Sequence, residues 1–305
     1  MQFQKNKNLI SFQASKTEIF LKEISEQNKS LIKHFLNSFV TDNALTRKLV
    51  SFQGNKVRAY YRWYKYKEAF SADLVEYLFR KYSVPNGKIL DPFAGAGTSL
   101  FAVSAMGYST EGIELLPVGQ KIITANILTR SDKTQKIIVV LKKWLREMPW
   151  NHQGKAKNFE VLRITDGAYS QITHQKIRRY LNDLESEEPE TKEILFFALL
   201  CILESISYTR KDGQYLRWDY RSEHRSGKSK FDKGKIYSFD ESIIKKLNEI
   251  IEDMSYKKDA IDLFSLSKEN TQNGKINLHK GSCLNILPSL KNNAYSGISS
   301  SGKKE

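Results

Sequence analysis

Lys88-Ile89-Leu90-Asp91-Pro92-Phe93-Ala94-Gly95-Ala96-Gly97-Thr98 is the stretch on which the reading of this chain turns. Its opening residues form a short apolar run that ends in turn residues, the pattern of a buried strand. Gly95 and Gly97 then let the backbone turn tightly and approach a ligand, because neither carries a Cβ. From Ser99 to Met106 the apolar positions return to helical spacing, and Gly107 stands where a helix would end in a left-handed cap. Tyr108 to Ile113 reads as a second strand and closes on Glu114. Strand, glycine loop, helix, strand and acid, in that order, make the first half of a nucleotide-binding α/β fold. There the loop is expected to present free N–H groups at a helix N-terminus, and the acid to accept the hydroxyls of a ribose. A bare Gly-x-Gly pair fits a dehydrogenase turn or a structural turn equally well. A phosphate-binding P-loop does not fit, since Gly95-Ala96-Gly97-Thr98-Ser99 lacks the Gly-Lys-Ser/Thr ending.

Upstream of this stretch the chain is helical and basic. Ile19, Phe20, Ile24, Leu31, Ile32, Phe35, Leu36 and Phe39 recur at helical spacing. Between Arg47 and Lys67 stand seven basic residues and no acidic one, interleaved with Tyr60, Tyr61, Trp63, Tyr64 and Tyr66. Ser71 is placed to cap a helix carrying Leu74, Val75, Leu78 and Phe79. Downstream of Leu128 the core pattern stops and a mostly helical insert begins. Its acidic linker, Glu185 to Glu190, separates two helices, the second holding the apolar run Ile194–Leu203. Tyr208 to Lys235 turns polar and basic, Ile243 to Ile251 is amphipathic, and Lys275 to Leu278 reads as a third strand. The expected organisation is an N-terminal helical, basic and aromatic arm (1–85), a first core segment (86–130), the insert (131–272) and a return to the core (273–305).

Composition narrows the class. The chain has 305 residues and a formal net charge of +15, from 49 Lys and Arg against 34 Asp and Glu. That surplus points to a polyanionic partner, most often nucleic acid. With 2 cysteines a disulfide scaffold or a four-cysteine zinc site is excluded. The longest apolar run is ten residues, too short to span a bilayer, and the first residues lack a signal core, so a cytoplasmic location without a membrane is expected. The histidines show no paired metal spacing, so no metal is expected. Cys283, preceded by Ser282 rather than by proline, reads as a small buried residue.

The full string Asp91-Pro92-Phe93-Ala94-Gly95-Ala96-Gly97-Thr98 resembles the S-adenosylmethionine motif Asp-Pro-Phe-x-Gly-x-Gly-Thr of the amino-directed DNA methyltransferases, which modify N4 of cytosine or N6 of adenine. Every defined position matches. The resemblance implies an α/β fold with a Rossmann-like class I methyltransferase sheet, of strand order 3-2-1-4-5-7-6. It assigns Asp91, Pro92, Phe93, Ala94, Gly95, Gly97 and Thr98 to the cofactor's methionine end and Glu114 to its ribose. Phe70, in the segment Lys67-Glu68-Ala69-Phe70-Ser71, lies where the family places a further cofactor contact, although a plain core role suits it as well. Ile276 to Leu290 looks like the family's lead-in to its catalytic loop, with Ser282 at the place of the usual adenine-contacting Asp.

The family's catalytic element, Asp/Ser/Asn-Pro-Pro-aromatic, does not occur in the 305 residues. No catalytic residue is therefore expected, and the sheet is expected to be incomplete, with strands 1 to 3, the opening of strand 4 and an exposed apolar edge. The polar tail Ser299 to Glu305 suggests a shifted reading frame, a split enzyme whose second chain supplies the catalytic half, or a trimmed chain. The motif order places target recognition in the insert. Arg210, Lys211, Tyr215, Arg217, Trp218 and Arg221 are the candidate contacts to double-stranded DNA, the cations neutralising phosphates and the aromatics stacking on or wedging beside a base. The alternative reading of this stretch is a solvated basic loop with Trp218 packed on the insert. The arm from Arg47 to Lys67 admits the same DNA reading, or its aromatics simply cover the core helix. Two functions follow: site-specific DNA methylation within a restriction–modification system, or a non-catalytic DNA-binding subunit that retains the cofactor scaffold.

Overall fold

A computed structural model of the chain describes residues 2–36, 42–66, 69–212, 215–222, 231–259 and 273–299. Phe39, Lys67, Glu68, residues 213–214 and 223–230, and the tail from Ser300 lie outside the described residues. The chain divides into two compact units, Met1–Thr46 and Arg47–Glu305. The first contains the helix α1 (Gln2–Phe35), which covers most of the apolar stripe read from sequence.

The second unit opens with a 3-10 turn over Phe52–Val57 and the helix α2 (Ala72–Lys81). Ser71 caps α2 as expected, its Oγ accepting from the Leu74 N–H at 3.1 Å. There follow β1 (Lys88–Asp91), α3 (Thr98–Ala105), β2 (Ser109–Glu114) and α4 (Pro117–Leu128). The insert supplies α5 (Thr134–Glu147), α6 (Gln171–Asp183), α7 (Pro189–Ile202), β3 (Thr209–Asp212), β4 (Tyr215–Trp218) and α8 (Phe239–Asp259). The chain then returns to the sheet with β5 (Ile276–Lys280), α9 (Cys283–Ile286) and β6 (Gly297–Ile298).

The main sheet has the order β5-β2-β1-β6 with every pairing parallel. Parallel neighbours need crossovers, and the helices after β1 and β2 provide them. Side chains alternate across the sheet. Ile89 packs with Ala72 and Val75 of α2 and with Ala102 and Val103 of α3, while Ile276 and Leu278 pack on a cluster of Ala94, Leu100, Phe101 and Ile123. The order corresponds to 3-2-1-4 in the family's strand numbers. The outer strand β6 is short and leaves Ile298 70% exposed.

The insert's helices share a core with α4, the helix that follows β2. Ile122 and Ala125 of α4 join a cluster with Leu141 of α5, Tyr180 of α6, Phe197 of α7 and Leu247 of α8. Ile194, Leu195, Phe197 and Ala198, from the apolar run, are fully buried. Burying a large apolar side chain contributes about 1.5–3 kcal/mol, which is why this run sits at the centre.

The aromatics of the arm belong to the same core, Trp63 buried and Tyr60, Tyr64 and Tyr66 partly so. Trp63 is 2% exposed, and its indole N–H donates to Asp253 of α8 at 2.7 Å. The same carboxylate accepts from the Tyr60 N–H at 3.0 Å and pairs with Arg62 at 2.6 Å. Arg58 pairs with Asp73 and Glu76. Two of the arm's cations, Arg58 and Arg62, thus fix it to α2 and α8, while Arg47, Lys48, Lys56 and Lys65 are exposed.

Candidate functional site

The loop after β1 is held by its own polar groups. Asp91 is 3% exposed; it accepts from the Phe93 N–H at 3.0 Å and from the Ser99 hydroxyl. Burial pushes its carboxyl up to about 6, against the pull of those hydrogen bonds, with the nearby Glu114 charge adding to the rise. The Ala94 N–H donates to the Ile113 carbonyl at 2.9 Å and ties the loop to β2. Gly95 and Gly97 have φ of +56° and +77°, a region that favours glycine. A Cβ on Gly97 would also lie 2.8 Å from Phe101 and 2.9 Å from Ile123, so this position requires glycine on two counts.

Glu114 is 6% exposed at the end of β2. One carboxylate oxygen accepts from the Gly95 N–H at 2.6 Å and the other from the Leu116 N–H at 2.7 Å. The Gly97 N–H donates to the Ala94 carbonyl at 2.7 Å. The amides of the two glycines are therefore not among the free N–H groups expected of this turn: they close the loop on itself and on Glu114. The physical reason is that a buried donor left without an acceptor costs about 1–3 kcal/mol. Glu114 keeps capacity for further donors, since a carboxylate has about four lone-pair sites.

Tyr66, Ala69 and Phe70 line one concavity together with Asp91, Phe93, Ala94, Gly95, Ala96 and Thr98. Phe70 therefore shares a wall with the glycine loop. Pro92, Gly97 and Glu114 do not line this concavity; Glu114 touches it only through Gly95. Phe93 stands at the rim, 55% exposed.

Two residues that shape the site were not singled out from the sequence. Asn55 is 1% exposed; its amide donates to the Phe70 carbonyl at 2.9 Å and accepts from the Ala72 N–H at 3.0 Å. It pins the Phe70 backbone from a segment fifteen residues away, and no local pattern announces it. Gly119 lies in the first turn of α4, where a Cβ would come within 2.5 Å of the Gly95 carbonyl oxygen and 2.8 Å of Glu114 Cγ. Its signal was available: a glycine just inside a helix start costs stability unless something must approach closely.

Ser282 caps α9, its Oγ accepting from the Leu284 N–H at 3.3 Å. Cys283 is a half-buried free thiol rather than a fully buried one, because α9 lies at the surface with Leu284 80% exposed. Among the described residues no group of His, Cys, Asp or Glu is arranged to hold a metal ion, and no helix is long and apolar enough to cross a membrane.

The candidate nucleic-acid contacts fall on a structured element. Part of the basic stretch is a two-stranded antiparallel ribbon, β3 against β4, rather than a loop. The missed signal in the sequence is Gly213-Gln214, a glycine-first pair between two runs of alternating side chains. Arg210, Tyr215 and Arg217 alternate onto one exposed face, with Tyr215 79% exposed; Leu216 and Trp218 lie half-buried on the other, with the exposed Lys211. Arg221 stands apart from the ribbon. Its guanidinium grips the buried Asp219 at 2.6 and 2.9 Å and donates to the Gly234 carbonyl at 2.6 Å. The hydrogen bonds from Arg221, helped by the Lys233 and Arg221 backbone N–H groups, hold the Asp219 carboxyl far below its ordinary range against the opposing effect of burial.

Comparison with known proteins adds a family and relatives. Residues 1–124 match the profile of the N6/N4 methyltransferases, described as DNA methylase. The chain is 47% identical over 285 residues to the Type II methyltransferase M.AvaI of Nostoc sp., covering 92% of this chain and 58% of that protein. The protein of that name from Anabaena variabilis matches to the same extent. The Type II methyltransferase M.BsoBI of Geobacillus stearothermophilus is 32% identical over 288 residues, 87% of this chain and 53% of that protein. The chain thus spans somewhat more than half the length of these relatives. No solved structure matches it.

Proposed function

We propose, for a chain that belongs to the amino-directed DNA methyltransferase family, that the Asp91–Thr98 loop binds S-adenosylmethionine and that the chain is the cofactor- and DNA-binding part of an enzyme that methylates an exocyclic amine of cytosine or adenine at a specific DNA site, the catalytic Pro-Pro-aromatic element coming from outside these 305 residues. The single observation that carries this reading is the concavity in which Asp91, Phe93, Gly95 and Thr98 meet Phe70, backed by Glu114 through Gly95. The donor set fits the cofactor. Two buried carboxylates, Asp91 and Glu114, suit a ligand with an ammonium, a sulfonium and a ribose diol. Phe70, Tyr66 and Phe93 offer aromatic surface to a cation or a flat ring. When bound, S-adenosylmethionine supplies an electrophilic methyl group on a sulfonium sulfur.

The chain's own residues bind and orient in this reading. Gly97 and Gly119 keep the α3 and α4 N-termini close to the loop, and Asn55 holds Phe70 opposite it. Glu114 fixes the Gly95 amide and accepts from the ribose with its remaining lone pairs. No residue of this chain is assigned a proton-transfer or base-binding role, because the family's Pro-Pro-aromatic element is not among the 305 residues. The ribbon residues Arg210, Lys211, Tyr215, Arg217 and Trp218 contact duplex DNA, and the setting is a restriction–modification system in the cytoplasm, where the DNA is. Arg221 acts at one remove, by holding Asp219.

Equilibrium dialysis of the full chain with radiolabelled S-adenosylmethionine, with and without unmethylated duplex DNA, tests the reading. Retention of one cofactor per chain, together with retention of duplex, is the expected result. A chain that retains neither overturns it.

A further inference from the structure

Two guanidinium groups on the ribbon are arranged differently from ordinary surface cations. Arg210 and Arg217 are directly opposite in the β3–β4 register, a placement that costs stability for like charges. Both lie over one ring: Phe231 is 5.7 Å from the Arg210 guanidinium carbon and 4.3 Å from that of Arg217. A flat cation stacked on an aromatic face can still direct N–H groups outward, although one terminal nitrogen of Arg217 donates to Asp212. Asp212 pairs with Arg217 at 3.0 Å, both side chains about half exposed, and offsets part of the repulsion.

The ribbon's foot is held by backbone hydrogen bonds. The Asp219 N–H donates to the Tyr208 carbonyl at 2.8 Å, the Tyr208 N–H to the Ala168 carbonyl at 2.8 Å, and the Tyr220 N–H to the Phe231 carbonyl at 2.9 Å. Asp219 in turn accepts from the Lys233 N–H at 2.7 Å. Phe231 is thereby fixed beside the ribbon and can set the two guanidinium planes. Phosphate contacts need charge alone, and a mobile lysine serves them; base reading needs oriented pairs of donors. A two-stranded ribbon also fits the major groove, where guanine offers two acceptors to one arginine.

We propose that Arg210 and Arg217, held by Phe231, read guanine in the major groove of duplex DNA, with Tyr215 at the leading end of the ribbon. This rests on the DNA methyltransferase reading above and assigns its sequence readout to one face of one hairpin. Arg210 and Arg217 are then specificity-determining contacts, and Phe231 is a positioning residue.

The test exposes the full chain to a pool of duplexes with a randomised central window and sequences the bound fraction. Affinity for a selected duplex is then measured across a salt series. The wild-type chain should select guanine at defined positions. Arg217→Lys and Arg210→Lys keep the charge and lose the fork, so each should relax guanine choice about fivefold or more at its own position. The slope of affinity against salt should stay unchanged, because it counts neutralised phosphates. Phe231→Leu should relax both positions and Phe231→Tyr should restore them, with thermal midpoints recording that all variants fold. Unchanged selection in both lysine variants overturns the proposal, as does a loss of affinity that is equal for all sequences. Retention of no duplex by the wild-type chain contradicts the DNA reading itself along with the ribbon.

Discussion

Gly119→Ala sets two well-calibrated effects against each other. Helix propensity alone favours alanine over glycine by about 0.8–1 kcal/mol within a helix such as α4. Packing opposes it. The added methyl carbon would stand 2.5 Å from the Gly95 carbonyl oxygen, 2.8 Å from Glu114 Cγ and 2.9 Å from Glu114 Cδ, well inside ordinary van der Waals contact. The nearest atom is backbone, and that backbone is tied down by the Gly95–Glu114 and Ala94–Ile113 hydrogen bonds. Overpacking of this kind costs about 1–3 kcal/mol. If α4 moves away, the charge-assisted Gly95–Glu114 bond weakens, and such bonds contribute about 1.5–3 kcal/mol. The sum favours a net loss of about 2 kcal/mol. Urea unfolding of both proteins measures it, and titration calorimetry with S-adenosylmethionine reads the site, where a displaced loop should lower affinity about tenfold. Gly154→Ala is the control, because nothing lies within 4 Å of its Cβ. A Gly119→Ala protein that is more stable than wild type and binds the cofactor equally well would refute the close-approach account.

Two further outcomes follow from the same geometry. Asp253→Asn removes the charge that Arg62 and the Trp63 indole share, and weakening these charge-assisted hydrogen bonds at a carboxylate whose Arg62 partner is partly exposed should cost about 2 kcal/mol in chemical unfolding. For Asp91 the folded-state pKa of about 6 lies above the ordinary carboxylate value, so its ionisation opposes folding above that pH and the cost is relieved as pH falls through 6. A cationic cofactor favours the ionised form. Calorimetry at pH 5 to 8 should therefore show affinity weakening below about pH 6 while the free chain gains stability from this group, and an Asp91→Asn chain should lose that trend.

The parts legible in the sequence are those whose local signals agree. Ser71 caps α2 and Gly97 opens α3; the order of the strands is not a local signal but an implication of the family resemblance. The parts that were not legible depend on distant partners. Arg62 and Trp63 read the same whether they face DNA or meet Asp253, which is 190 residues from Trp63. Asn55 carries no motif because its role is two hydrogen bonds to the backbone around Ser71. The second partner of Glu114, the Leu116 N–H, and the closure of the glycine amides are consequences of burial, which a string of residue types does not display.

Titration of the full chain with S-adenosylmethionine, beside Glu114→Ala, tests most directly whether this loop is a cofactor site. One saturable site per chain is expected. Losing charge-assisted bonds to the ribose in the variant should cost about 2–4 kcal/mol, a drop of roughly thirtyfold or more, while circular dichroism shows that the variant is folded. Absence of binding by the wild-type chain, or equal affinity in a folded Glu114→Ala chain, would contradict the account.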